Sequence, residues 1–146
     1  MDNYDVAVQQ RLNSSKDIIV VDELDDKTYE EAKRVCEIIC GRLYFPSTLK
    51  ENDEVQSVIK RLVNHTWLYH YGNVWLRMTY NETDGTWYDP DNKEDLTFLN
   101  FDRHDRIREY AGFMEHHVIM DIEYDGKWWS RAGIQKHSRY VVCEPT

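Results

Sequence analysis

The sequence predicts an α+β fold built as a single domain over residues 1–146: an N-terminal strand and two amphipathic helices packed on a mainly antiparallel sheet that a third helix interrupts. Three observations predict it. Two capping-box signals, Thr28 with Glu31 and Thr48 with Glu51, each precede a stripe of apolar residues at helical spacing. From residue 66 onward, β-branched and aromatic runs alternate with two-residue turn signals. And 146 residues, 41% of them hydrophobic, are enough to bury a self-sufficient core.

Residues 1–15 read as a flexible or helical arm. Ile18 to Val21 form a β-branched run between Asp17 and Asp22, which is a strand signal. Thr28 then opens a helix over 28–40, with Ala32, Val35, Cys36 and Ile39 on one face and Gly41 free to end it. Leu43 to Phe45 before Pro46 are extended. A second helix covers 50–64, its stripe being Val55, Val58, Ile59 and Leu62. Acidic Asp53 and Glu54 in its first turns and basic Lys60 and Arg61 in its last suit the helix dipole.

Thr66–Tyr71 and Val74–Tyr80 read as two strands joined at Gly72-Asn73. Asp84-Gly85 turns the chain into a short strand at 86–88. An acidic loop follows at 89–95, then a strand at 96–101 and a third helix capped by Asp102. Val118, Met120, Ile122 and Tyr124 alternate with polar neighbours, and Asp125-Gly126 is a strong hairpin turn into Trp128-Trp129. Tyr140 to Cys143 is the last strand. In its order of elements the chain resembles the nuclear-transport-factor-2-like cone of helices on a curved sheet. That resemblance carries no motif and implies no activity.

Lys and Arg total 18 against 27 Asp and Glu, and residues 1–56 alone hold 13 acids and 7 bases. Such a field repels phosphate backbones, so free duplex nucleic acid is excluded as a partner and a basic protein surface is favoured. No apolar run is long enough to span a bilayer, and the start MDNYDVAVQQR lacks a signal peptide's apolar stretch, so the expected compartment is the cytoplasm, with no membrane partner. In that setting the sequons at Asn64 and Asn81 carry no weight. Cys36, Cys40 and Cys143 are then expected to be buried reduced thiols.

Candidate chemistry is sparse. No G-x-S-x-G, Walker A loop or G-x-G-x-x-G occurs, and none of the 27 acids is singled out as an acid–base pair. His104 between Asp102 and Asp105, with His116, His117 and His137, supplies ligand atoms without ligand spacing, so neither a metal site nor a cofactor is expected. The most informative local feature is Trp128-Trp129, since neighbours on a strand point to opposite faces and one must face solvent, a pocket or an interface. Arg103, Arg106, Arg131, Arg139 and Tyr140 join the two tryptophans as candidate binding residues.

Acidity, excess aromatics and missing catalytic motifs together point to a non-catalytic inhibitor or immunity protein that occludes a site on a basic macromolecule. In composition the chain resembles phage anti-defence and toxin-neutralising proteins. The second reading is a small-ligand protein, a nucleotide-type binder, sequestering sponge or enzyme, whose pocket joins indole stacking to guanidinium–phosphate contacts. Exposed aromatics and edge strands favour a homodimer in either case.

Overall fold

The computed structural model describes residues 17–63, 73–102 and 116–146. Its elements run β1 (Ile19–Lys27), α1 (Tyr29–Ile38), β2 (Gly41–Leu43), α2 (Leu49–Val63), β3 (Asn73–Trp75), β4 (Thr79–Asn81) and β5 (Thr86–Tyr88), then β6 (His117–Asp121), a 3-10 turn (Ile122–Tyr124), β7 (Lys127–Arg131) and β8 (Ser138–Pro145). They pair as three sheets, β1-β8-β2, β3-β6-β7 and β4-β5, with every ladder antiparallel. The α+β class follows directly.

β8 organises the core. Tyr140 to Glu144 are all buried, and alternate residues point to opposite faces. Tyr140 and Val142 join one apolar cluster with Val55, Val58 and Ile59 of α2. Val141 and Cys143 join the other with Ala32, Val35 and Cys36 of α1. The two helices therefore cover opposite faces of the sheet, and both apolar stripes are buried as their spacing predicts. Such layering departs from the cone that the element order suggested.

α1 begins at a complete capping box. The Glu31 amide donates to Thr28 Oγ1 and the Thr28 amide to Glu31 Oε1, which satisfies two orphan donors at the helix start. From this helix Cys36 reaches across to β8 and forms a disulfide with Cys143, closing 107 residues of chain. That overturns the expectation of reduced thiols. Cys143 stands alone in sequence, but β8 brings it under α1, and Cys40, one turn on from Cys36, is left free and exposed.

The strand expected over 74–80 breaks in the middle. Val74 and Trp75 belong to β3, the chain bends at Leu76–Met78, and β4 begins at Thr79 in another sheet. The physical reason is Arg77, a charge in an apolar run, which the bend carries to its ion partners. The expected strand at 96–101 has only the bridge of Phe101 to Trp128, because its backbone groups serve β7 singly: the Asp102 amide donates to Trp128 O and the Trp128 amide to Asn100 O. The alternating run from 117 stops at Asp121, whose side chain accepts from the Glu123 amide and starts the 3-10 turn. Asp125 and Gly126 take φ of 56° and 68°, the left-handed pair that the Asp-Gly signal predicts. The arm at 1–15, the strand at 66–71 and most of the third helix lie outside the described residues.

Candidate functional site

Arg77 is 6% exposed, Asp89 5% and Glu144 6%, so three charged side chains share the interior. Arg77 Nη1 donates to Leu43 O at 2.8 Å and meets Glu144 Oε1 at 2.9 Å. Its Nε lies 3.2 Å from each Asp89 carboxylate oxygen, and its Nη2 meets Asp89 Oδ2 at 3.2 Å. Burial alone would lower the guanidinium's pKa, but Glu144 and Asp89 outweigh it and hold the pKa above its ordinary value. Arg42 closes the network from β2, 3.6 Å from both Glu144 Oε2 and Asp91 Oδ2.

The same carboxylates shape the chain around them. Glu144 Oε1 also accepts from the Phe45 amide at 2.9 Å, which ties the exit of β2 to β8. Asp89 Oδ1 accepts from the Asp91 amide at 2.8 Å, while the Asp89 amide donates to Glu94 O and the Lys93 amide to Asp89 O. The acidic loop at 89–95 is thus a folded turn wound on one buried aspartate. Asp95 is fixed in turn by Thr86 Oγ1 at 3.2 Å.

Over this network opens a polar cleft of about 310 Å³. Ser47, Asn92, Glu94, Asp95 and Thr97 line it beside the Arg77 ions, with Phe98 supplying an apolar wall. A ligand site of this kind needs a few polar groups that converge and do not move. Here a buried ion network holds the floor, and amide, hydroxyl and carboxylate groups surround it. The amide and hydroxyls donate and accept while the carboxylates accept, which is the mixture a polyhydroxylated ligand asks of a protein. Acids outnumber bases around the cleft, so an anionic ligand is disfavoured.

A larger cavity of about 420 Å³ lies at the start of α1, lined by Thr28, Tyr29, His116, His117, Gly133 and Ile134. The His117 ring stacks on Tyr29 with centroids 3.7 Å apart. It also packs so closely on Gly133 that a Cβ there would lie 2.6 Å from its ring. Burial, with His116 beside it, pushes the His117 pKa down to about 4, and burial lifts the Tyr29 hydroxyl to about 12. His116 is held by Glu82 at 2.7 Å. This cavity is larger but mostly apolar, and of its polar groups Thr28 is engaged with Glu31 and His116 with Glu82. The cleft over Arg77 is the better candidate.

The residues singled out in the sequence are dispersed. Trp128 is 0% exposed, deep in the core, and donates from Nε1 to Asn52 Oδ1 at 2.8 Å. Tyr140 is buried in β8. Trp129 does point the other way, but it packs against the α1-side cluster, with the Arg131 guanidinium over its ring at 5.5 Å. Trp129 and Arg131 are therefore together. Arg139 lies in β8, its side chain outside the described residues, as are Arg103 and Arg106 altogether. Sequence reasoning missed Arg77, Asp89 and Glu144. The available signal was an arginine inside the apolar run from Val74 to Met78, which needs a buried counter-charge somewhere in the fold.

Among the described residues no group of three or more His, Cys, Asp or Glu is placed to hold a metal. A hard divalent cation takes six to eight oxygens. The three carboxylates that come nearest to that, Asp89, Asp91 and Glu144, are already gathered around the Arg77 and Arg42 guanidiniums.

Residues 25–145 match the family model described as Lectin C-type domain. No curated protein matches by sequence. Among solved structures, human lithostathine superposes with a TM-score of 0.70 at 16% identity, covering 95% of this chain and 99% of that one. The mouse scavenger receptor C-type lectin carbohydrate-recognition domain gives 0.67 at 17%, with the same coverage of 95% and 99%. The cow C-type carbohydrate-recognition domain of CD23, solved in the presence of a GlcNAc2Man3 oligosaccharide, gives 0.62 at 22% and covers 89% and 87%. At these identities the superpositions speak for the fold alone.

These matches correct the functional expectations. The inhibitor, immunity and anti-defence reading, its basic macromolecular partner and the nucleotide-type ligand all give way, because composition carried them and the matched family is one of lectin domains. The cytoplasmic placement falls with them. The lectin-family match contradicts it, and the Cys36–Cys143 disulfide suits an oxidising compartment.

Proposed function

The chain belongs to the C-type lectin domain family, and on that premise we propose that it binds carbohydrate in the cleft over Arg77. The observation that carries this is the fixed polar floor: Arg77, Asp89 and Glu144 held by one another, with Asn92, Asp95 and Thr97 facing the opening. The ligand is a neutral sugar, since carboxylates outnumber guanidiniums around the cleft and sialylated or sulfated glycans would meet like charge. Hydroxyls would pair with the carboxylates and amide, and the sugar's apolar face would lie on Phe98.

Many C-type lectin domains bind sugar through calcium. Among the described residues no donor set suits that ion, because the carboxylates clustered at the cleft are already neutralised by Arg77 and Arg42. In this cleft the reading is direct recognition, between side chain and sugar. The test is a glycan array probed with the full chain in calcium and again in EDTA, alongside Thr97→Trp to fill the cleft. Neutral glycans should bind equally in both buffers and be lost in the variant. Binding that EDTA abolishes, or that Thr97→Trp leaves intact, would overturn the reading.

A further inference from the structure

We propose that Asn81 is an N-linked glycosylation site. The sequon Asn81-Glu82-Thr83 is discounted only if the chain stays in the cytoplasm. The disulfide between Cys36 and Cys143 weakens that objection, because it suits an oxidising compartment, and the eukaryotic secretory one both forms disulfides and attaches N-glycans. The structure then shows how reachable the sequon is: Asn81 is half-buried and the turn that follows it is exposed.

Asn81 ends β4, and Glu82, Thr83, Asp84 and Gly85, which connect it to β5, are all exposed. The turn is organised by the Asn81 side chain itself. Its Oδ1 accepts from the Thr83 amide at 3.0 Å and the Asp84 amide at 3.4 Å, and its Nδ2 donates to Asp84 Oδ2 at 3.0 Å. Attachment replaces one of the two Nδ2 hydrogens and leaves Oδ1, which accepts from the Thr83 and Asp84 amides, free to hold the turn. Asn81 lines none of the cavities described above, so the glycan leaves the Arg77 cleft open.

The step balances with a lipid-pyrophosphate-linked oligosaccharide as co-substrate. Asn81 Nδ2 bonds to the anomeric carbon and loses one proton, and the lipid pyrophosphate leaves with the electrons of the broken C–O bond. Because the proposal concerns a hairpin outside the cleft, its failure and the failure of the sugar-binding reading are separately visible.

The experiment is secretion of the full chain from eukaryotic cells behind an added leader, followed by peptide mass spectrometry. Trypsin places Asn81 on Met78–Lys93 and Asn64 on the separate peptide Leu62–Arg77. Met78–Lys93 should carry a glycan that peptide N-glycosidase removes, leaving aspartate at 81. Asn81→Gln and Thr83→Ala should each lower the intact mass by one glycan, and Asn64→Gln should leave Met78–Lys93 modified. An unmodified Met78–Lys93 peptide in secreted wild-type protein with its disulfide formed would overturn the proposal, and that measurement needs no variant to fold.

Discussion

Removing the Cys36–Cys143 disulfide should cost this domain a large part of its stability. The bond closes 107 residues, and in the chain-entropy relation a loop of that size restricts the unfolded ensemble by about 16 cal/mol/K, or about 4.8 kcal/mol at 25 °C. With an unfolding entropy of about 2.1 cal/mol/K per residue over 146 residues, the melting temperature should fall by about 15 °C. Both sulfurs are buried against the α1-side cluster, so replacing them also removes packing. Two arms separate the effects: Cys36→Ala/Cys143→Ala loses the cross-link and the sulfurs, whereas wild type in a phosphine reductant loses the cross-link alone. Urea unfolding of each gives the free-energy difference, and unreduced peptide mapping identifies the bonded pair. A loss below about 1 kcal/mol in both arms would refute the loop-entropy argument. A map pairing Cys143 with Cys40 would refute the placement of α1 over β8.

The other predictions concern buried polar groups. Arg77→Met strands Asp89 and Glu144 without their shared cation and should cost about 3–5 kcal/mol in urea unfolding, because a broken buried pair leaves uncompensated charge. Asn52→Ala removes the acceptor of Trp128 Nε1 and one of two side-chain donors to Gly126 O, and leaving the buried indole N–H orphaned should cost about 1–3 kcal/mol by the same assay. His117 has a folded pKa of about 4, depressed mainly by burial, against 6.5 for the free side chain, so the unfolded chain takes up its proton first. Stability from this group is complete above pH 6.5 and drains away as pH falls towards 4, visible as a declining melting temperature. His117→Gln should flatten that decline without abolishing it, since burial and then Arg131 also lower His137 to about 4.

Local rules made the helices and turns legible. Thr28 and Glu31 mark α1 to within a residue of its start, and Asp125-Gly126 takes the left-handed conformation its composition demands. The α+β class and the buried stripes followed from period alone. What failed was long-range. Cys36 and Cys143 meet only because β8 lies against β1 and β2, and no spacing in the chain says so. The cleft failed for the same reason, since Arg77, Asp89 and Glu144 come from three separate stretches and each looks ordinary alone. Trp128 and Trp129 do part as neighbours on a strand must, Trp128 buried in one cluster and Trp129 half-buried against the other. An error about compartment then spread. Placing the chain in the cytoplasm made the cysteines reduced, set aside both sequons and steered the function towards cytoplasmic partners.

The most direct test of the central claim is a backbone amide NMR titration of the folded domain with neutral monosaccharides in EDTA. The account predicts saturable shifts centred on Asn92, Asp95, Thr97 and Phe98, little change at Tyr29 and His117, and the same shifts when calcium replaces the chelator. Shifts confined to the cavity around Tyr29 and His117, or shifts that appear only with calcium, would contradict it.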